Sequence, residues 1–270
     1  MGFEALLIPI SPMNDRDDLM DFAARTLQAA GELTLRHFGH VAVEYKSNQT
    51  EVTAADLAAE AHVRAAIAEA FPDDGILGEE DDDVPSRSGR RWVVDPIDGT
   101  RSFAVGVPLY SMLLALEEDG VPVLGCIHLP PMRQTLVAAT GAGAWVNGER
   151  ARVSPCESLA EARLVTSGLE YWRDESTDEH RAGFGRLVQA TRFARTWGDG
   201  FGYFLVATGR AELYCDPISG NEWDIAPFGV IFAEAGGRFT RFDGSQVVPW
   251  STALAANPPL HEAARRVLGH

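Results

Sequence analysis

Two aspartates stand three residues apart at the point where a run of apolar residues stops. Asp95 and Asp98 enclose Pro96 and Ile97, and a Gly-Thr dipeptide at 99–100 follows them. A carboxylate beside a buried strand is costly unless a cation or hydrogen bonds meet it. Two carboxylates and the Ile97 carbonyl, held around one turn, therefore predict a site for a hard divalent cation with oxygen ligands.

Two further acidic residues stand where they can join such a site. Glu79 follows a short strand-like run at 75–78, and Asp224 lies in a Trp-Asp dipeptide where a helix is expected to start. Each has a simpler interpretation, because Asp224 can be a helix N-cap and acidic runs such as 79–83 are commonly solvated loops. Oxygen ligands alone favour Mg²⁺, or Mn²⁺, over zinc, and the seven histidines are scattered.

The composition restricts the partners that the protein can bind. The chain has 270 residues, with 23 basic against 39 acidic side chains and a net charge of −16. This balance argues against non-specific binding to nucleic acid or to an anionic membrane. Three separated cysteines, and no apolar segment typical of a signal peptide or membrane span, predict a reduced protein of the cytoplasm. An anionic substrate would need bound cations to invert the local field.

Helices and strands alternate around these residues. Hydrophobic spacing predicts a helix over 14–38 and a second from Thr53 to about Phe71, opened by a capping box of Thr53 and Asp56. Further helices are expected over 181–191, from about 203 to 209, over 223–235 and from 258, with a polar loop at 174–180. Strands are expected at 41–45, 75–78, 92–95, 109–116, 121–128, 135–139, 144–146, 163–167, 193–197, 211–215 and 238–241.

No repeat or flexible linker interrupts the chain, so residues 1–270 are expected to form one domain. Its two halves, about 1–153 and 154–270, are expected to share one core. Lys46 is the only lysine, which indicates either a bias towards arginine or a position where a compact ammonium group is required.

These motifs together resemble the inositol monophosphatase superfamily of metal-dependent, lithium-sensitive phosphomonoesterases. The resemblance extends over nearly the whole chain and implies a layered α/β/α/β/α sandwich and a homodimer. Its motifs, in chain order, are 53–56, 78–80, 95–100, 223–227 and 233–237.

The resemblance also implies roles for individual residues. The ligands of two or three Mg²⁺ ions become Glu79, Asp95, the Ile97 carbonyl, Asp98 and Asp224. Gly99 and Thr100 become phosphate-binding donors, and Lys46 a cation near the phosphate. Asp56 and Thr100, with Glu79 as a further catalytic group, would orient a water for in-line attack on the phosphorus.

The substrate remains open between several phosphate esters. Arg101-Ser102 replaces the Asn typical of the family, and together with the stretch 197–203 it resembles the histidinol-phosphate phosphatase branch. Asp199, Asp216 or Glu222 can bind a substrate ammonium or hydroxyl group, although each is also an ordinary capping or surface acid. The alternatives are inositol or another polyol phosphate, a nucleotide or sugar phosphate, and a non-catalytic regulatory protein that keeps the metal site.

Overall fold

A seven-stranded sheet and a five-stranded sheet make up most of the architecture, with helices packed against both. The structure is a computed structural model that describes residues 16–39, 44–45 and 51–270. Its strands are β1 Glu44–Tyr45, β2 Glu51–Val52, β3 Gly75–Gly78, β4 Arg90–Asp98, β5 Ser111–Glu118, β6 Val121–Leu129, β7 Gln134–Ala139, β8 Gly143–Val146, β9 Glu149–Arg150, β10 Arg163–Val165, β11 Phe193–Arg195, β12 Leu213–Asp216, β13 Arg238–Thr240 and β14 Ala253–Ala256.

The helices follow the same alternation. They are α1 Arg16–Leu35, α2 Ala54–Ala70, α3 Thr100–Ala104, α4 Leu169–Asp174, α5 Asp178–Ala190, α6 Asp199–Ala207, α7 Glu222–Ile225, α8 Phe228–Ala235 and α9 Pro258–Leu268, with 3₁₀ turns at Pro130–Met132 and Leu159–Glu161. Among these described helices, none combines the length and the apolar character that crossing a bilayer requires.

The two sheets differ in topology. Strands β3 to β9 lie side by side in chain order, and only β3 and β4 of that sheet run parallel. The second sheet has the order β11-β10-β12-β14-β13, in which β10 is parallel to both neighbours and β14 is antiparallel to both of its own. Strands β1 and β2 form a separate antiparallel pair.

Helix pairs cover the faces of both sheets. Helices α1 and α2 pack on one face of the seven-stranded sheet, α6 and α8 lie between the sheets, and α5 and α9 cover the outer face of the five-stranded sheet. Strand β5 shows why: Met112, Leu114 and Leu116 are buried with α1 and α2, whereas Leu113 is buried with α6 and α8. Side chains alternate between the faces of a strand, so one apolar strand contributes to two hydrophobic cores. This layering confirms the expected α/β/α/β/α sandwich.

The buried cluster between the sheets draws on both halves of the chain. It contains Leu113 and Ile127 from the first sheet and Tyr214 and Ala255 from the second. A core of this kind accords with the expected single domain, whose division near residue 153 stays a prediction.

The strand that carries Asp95 is longer than the sequence suggested. Strand β4 was expected to end at Asp95, but it continues to Asp98, so this expectation was wrong. Its register with β5 shifts between Asp95 and Asp98. Pro96 has no N–H to donate, and proline inside a sheet is confined to edges and bulges. The irregularity accommodates the proline and leaves both aspartates on one strand.

Other expectations about the second half were also wrong. The segment expected as a loop holds the end of α4 and the start of α5, whose N-cap is Thr177. The single helix expected over 223–235 is divided at Pro227, because proline disrupts a helix interior. Strand β14 was not predicted. The expected helix start at 14 and strand residues 41–43 lie outside the described residues.

One glycine allows α8 to approach the first sheet closely. A Cβ placed on Gly125 of β6 would overlap the backbone of Pro227, the residue directly before α8. On the α7 side of the same junction, Ala226 is buried against Leu77 and Val93. This close approach seats α7, and with it Asp224, over the sheet.

Replacing Gly125 by alanine is therefore expected to destabilise the protein. The added methyl group meets backbone atoms that cannot rotate away, and overpacking of this kind costs about 1–3 kcal/mol. Urea unfolding followed by circular dichroism measures the loss of unfolding free energy.

A second glycine in the same region provides the control. Gly229 of α8 is exposed and has open space where its Cβ would lie. Gly229→Ala should raise the unfolding free energy by about 0.5–1 kcal/mol through helix propensity alone. Equal stability of the two variants would contradict the role assigned to Gly125.

Candidate active site

Three carboxylates converge where β4 meets α7. One oxygen each from Asp95, Asp98 and Asp224 lies within 4.8 Å of the others, in an arrangement that could hold a metal ion. The irregularity in β4 separates the first two along the strand, and α7 brings the third from the opposite half of the chain.

Glu79 reaches the same region through strand register. Strands β3 and β4 are parallel, with Gly78 opposite Val94. Glu79 follows the end of β3 and Asp95 follows Val94, so the two acids lie at the same end of the strand pair. Glu79 lines the same cavity as Asp98 and Asp224, although it is not a member of the tight group of three.

The cluster is electrostatically unfavourable for ionised carboxylates. Burial, followed by the charges of Glu79, Asp98 and Asp224, raises the pKa of Asp95 well above its usual range. Carboxyl groups as close as those of Asp95 and Asp224 favour retention of a proton when no cation is bound. Asp95 Oδ1 is buried and accepts no hydrogen bond from the described residues. A divalent cation would satisfy these oxygens without a proton, so the residues fit a metal.

Asp98 is oriented by the first residue of β5 and by the start of α6. Its Oδ2 accepts hydrogen bonds from Ser111 Oγ at 2.7 Å and from the Gly200 N–H. Burial and the charge of Asp199 raise the pKa of Asp98, whereas these two donors lower it. A Cβ on Gly200 would collide with Ser111 and Asp98, so only glycine permits this approach.

Asp224 is held by a capping box rather than acting as an N-cap. Asn221 is the N-cap of α7, and its N–H donates to Asp224 Oδ2 at 2.5 Å. The N-cap alternative for Asp224 was therefore wrong by three positions. Burial raises the pKa of Asp224 to about 6, against the lowering effect of the Asn221 hydrogen bonds. Gly220, at φ +79°, leaves no room for a Cβ beside this carboxylate.

The residues expected to orient water have defined hydrogen bonds. Asp56 is fully buried at the third position of α2, where its Oδ2 accepts from the N–H and hydroxyl of Thr53, which confirms the capping box. Thr100 Oγ1 donates to the Ile97 carbonyl at 3.0 Å. Gly99, at φ +88°, is the N-cap of α3. Lys46 lies outside the described residues, and the catalytic roles of all these residues stay predictions.

A cavity of about 400 Å³ opens beside the carboxylates. It is lined by Arg101, Asp199 and Asp216 among the five substrate residues expected from the sequence. Arg101 Nη1 donates to Glu170 at 3.0 Å in an exposed ion pair.

Ser102 and Glu222 are not brought to the cavity wall. The Glu222 carboxylate forms an ion pair with Arg91, which also binds Glu117 at 2.6 Å. Arg91 is thus shared between two carboxylates, and the role of Glu222 in substrate binding stays a prediction.

Asp199 and Asp216 differ in how their charges are met. Asp216 Oδ1 accepts from Thr166 at 2.6 Å and from the Ser167 N–H at 2.8 Å, and its Oδ2 accepts from Tyr214. By contrast, no described residue donates a hydrogen bond to the Asp199 carboxylate.

Asp199 lies next to the Gly-Thr turn. Its backbone has φ +55°, and its Oδ2 would lie 3.3 Å from a Cβ on Gly99. Burial, followed by the charges of Asp216 and Asp224, raises its pKa to about 7.

Several residues of the site were missed from the sequence. Ser111 and Asn221 bind the metal-ligand candidates, and Tyr171, Glu175 and Trp250 line the cavity. The Asn-x-x-Asp spacing of 221 and 224 is a capping-box signal that could have been recognised. The cavity residues lie on short or irregular segments and carry no periodic signal.

Comparisons with known proteins agree with this fold. The model of the inositol monophosphatase family matches residues 15–268. The histidinol-phosphatase of Chlorobaculum parvum is 39% identical over 247 residues, which cover 88% of this chain and 94% of that protein. The histidinol-phosphatase of Mycobacterium tuberculosis is 38% identical over 253 residues, covering 91% and 95%. The Thermotoga maritima IMPase structure has a TM-score of 0.82 at 33% identity, covering 93% and 96%.

The five-layered sandwich and its buried carboxylate cluster define a metal-dependent phosphoric monoester hydrolase. The chain belongs to the inositol monophosphatase family.

The carboxylate cluster predicts that the metal-free protein loses stability as the pH rises. The pKa values of Asp224, about 6, and Asp199, about 7, lie above the unfolded value near 3.9. The folded state therefore binds more protons than the unfolded state. The stabilisation that results is fully present below about pH 4 and is lost as the pH rises to 7. In EDTA at pH 7.5, Asp224→Asn should raise Tm by about 2–4 °C, or ~1 kcal/mol, by removing repulsion.

Adding divalent cations should reverse the order of stability. MgCl₂ or MnCl₂ should raise the Tm of the wild type and leave that of Asp224→Asn nearly unchanged. Glu222→Gln is the control, because Glu222 pairs with Arg91 outside the cluster. An equal cation response in wild type and Asp224→Asn would contradict the ligand assignment.

Proposed function

We propose that this protein is a Mg²⁺-dependent phosphatase that hydrolyses histidinol phosphate, a step of histidine biosynthesis. The observation that carries the choice of substrate is the Asp199 carboxylate, which lines the cavity next to the Gly-Thr turn. It accepts no hydrogen bond from the described residues, although the charge of Arg101 lowers its pKa. The two relatives named histidinol-phosphatase support the same substrate.

The proposed mechanism assigns a task to each group around the turn. Asp95, Asp98 and Asp224, with Glu79 and the Ile97 carbonyl, would hold two or three Mg²⁺ ions, for which Mn²⁺ can substitute. When bound, the metal supplies Lewis-acid charge that activates water and stabilises the leaving oxygen.

The chain's own groups position the reactants. The Gly99 and Thr100 backbone and Lys46 would bind phosphate oxygens, and Asp56 with the Thr100 hydroxyl would orient the attacking water and accept its proton. Positioning and charge neutralisation are most of what phosphoryl transfer requires of a protein.

The charge of the cavity favours a substrate that carries a cation. Histidinol phosphate bears an amine on the carbon next to the ester carbon, so its ammonium group lies close to its phosphate. A charge-assisted hydrogen bond to Asp199 would offset the carboxylate, which a neutral hydroxyl of inositol phosphate does less well. Both Asp216 oxygens already accept hydrogen bonds from neutral groups of the chain. Asp216 is therefore assigned to holding the cavity wall in place and not to binding the ammonium group.

A panel of phosphate esters tests the proposal directly. With MgCl₂, the wild type should have its highest kcat/KM for L-histidinol phosphate, ahead of inositol 1-phosphate and p-nitrophenyl phosphate. Asp95→Asn should abolish turnover of all three, because it removes a charged ligand without changing the side-chain shape.

The remaining outcomes separate the alternatives. Preference for inositol 1-phosphate would favour a polyol phosphatase. Absence of phosphate release from every ester, at any metal concentration, would leave a non-catalytic metal-binding regulator.

Asp199→Asn should reduce activity selectively on substrates with an amine. For L-histidinol phosphate relative to its deamino analogue, 3-(imidazol-4-yl)propyl phosphate, kcat/KM should fall about 10–100-fold, since a charge-assisted hydrogen bond contributes ~1.5–3 kcal/mol. Asparagine tolerates the left-handed backbone at this position.

Asp216→Asn is the matched control for this variant. It disturbs the bonds with Thr166 and Tyr214 and should reduce Tm and both activities in parallel. Equal losses on the two substrates from Asp199→Asn would exclude Asp199 as the ammonium contact.

We also infer a homodimer in the cytoplasm. The resemblance to the family and the reduced-thiol composition, with three free cysteines, support this inference. Light scattering of the purified protein measures the oligomeric state.

A further inference from the structure

Trp250 stands in a backbone conformation that bulky residues rarely adopt. Its φ is +61°, where the Cβ of any residue other than glycine crowds the following carbonyl oxygen. The residue is also 63% exposed, more than any other tryptophan among the residues that the structure describes. The strain opposes folding and the exposed residue gains little from burial, and strained residues of this kind cluster at functional sites.

Hydrogen bonds fix the Trp250 loop against the loop that precedes α7. The Trp250 N–H donates to the Gly220 carbonyl at 2.7 Å. Ser219 Oγ donates to the Val248 carbonyl at 3.0 Å and accepts from the Ser251 N–H at 3.1 Å. The indole is therefore carried on a backbone with a defined position relative to the carboxylate cluster.

The indole shares the cavity with the charged groups of the proposed active site. Trp250, Tyr171 and Asp199 line one space of about 400 Å³, a size suited to a small organic phosphate. Four aromatic residues line the space, and Tyr203 and Tyr214 among them are almost fully buried. Trp250 and Tyr171 therefore offer the more accessible aromatic surface for the remainder of a bound ester.

We propose that Trp250 determines specificity by stacking on a planar aromatic ring in the leaving group of the substrate. The inference rests on the proposed function, in which that ring is an imidazole. An indole face attracts a neutral ring through stacking and a protonated one through a cation–π contact. The contact is made away from the phosphorus, so it stabilises the bound substrate and the transition state alike.

The test compares two substrates that differ only in the ring. L-histidinol phosphate has the imidazole, whereas L-alaninol phosphate keeps the amine and the ester without it. Trp250→Gly should lower the ratio of their kcat/KM values about tenfold, or ~1.4 kcal/mol. The loss should lie mainly in KM for L-histidinol phosphate, as expected when uniform binding is removed. Trp250→Phe should restore the ratio to within about threefold of the wild type.

The choice of glycine as the replacement guards against a loss of folding. Glycine adopts the left-handed backbone without strain and retains the N–H that binds Gly220, so Tm should not fall. Trp145→Phe changes a partly exposed tryptophan of β8 that does not line this cavity, and should leave the substrate ratio unchanged.

Each remaining outcome has a distinct meaning. An unchanged ratio in Trp250→Gly overturns the stacking role. If light scattering then shows a changed molar mass, the indole is instead a contact between copies of the chain. If the wild type hydrolyses inositol 1-phosphate better than L-histidinol phosphate, the proposed substrate and the stacking role are both overturned. If the wild type prefers L-histidinol phosphate but the ratio is unchanged in Trp250→Gly, only the stacking role of Trp250 is overturned.

Discussion

Bringing three carboxylates within 4.8 Å of one another, beside a buried core, sets the constraint that the surrounding structure has to meet. Mutual repulsion and desolvation both act against ionisation there, and together they raise the pKa of Asp95 well above its usual range. Without a cation, the cluster therefore favours retention of a proton. The site is thus poised to exchange protons for divalent charge, which a negatively charged protein needs if it is to bind a phosphate.

The fold meets this constraint through close backbone approaches. Gly125 lets α8 approach the first sheet, Gly200 lets α6 donate an N–H to Asp98, and Gly220 makes room for the Asp224 carboxylate. The first two approaches join the first sheet to the helices between the sheets. The carboxylate cluster therefore depends on the correct assembly of both parts of the chain, because Asp95 and Asp98 come from β4 and Asp224 from α7.

Charge neutralisation also distinguishes the acids around the cavity. Glu222 is paired with Arg91, and Asp216 accepts hydrogen bonds from neutral groups on both oxygens. Asp199 has neither arrangement among the described contacts, although Arg101 lowers its pKa somewhat. These acidic residues could not be distinguished from their neighbours in the sequence. Their hydrogen bonds and ion pairs differ because the groups that face them come from distant parts of the chain.

Features that depend on neighbours a few residues away could be predicted from the sequence. The Thr53–Asp56 capping box, the bounds of α2 and the paired aspartates at 95 and 98 were of this kind, and the layered fold followed from the family resemblance. Capping and hydrophobic periodicity act over three or four residues, so the amino-acid order alone specifies them.

Tertiary structure decided what depends on partners far along the chain. The continuation of β4 through Pro96 required the register of β5, and the pairing of Glu222 required Arg91, 131 residues away. Asp216 accepts hydrogen bonds that Asp199 does not, and this difference likewise depends on distant parts of the chain. The placement of Trp250 at the cavity has the same origin. Long-range contacts of this kind are selected by burial and charge across the whole core, and no local sequence pattern encodes them.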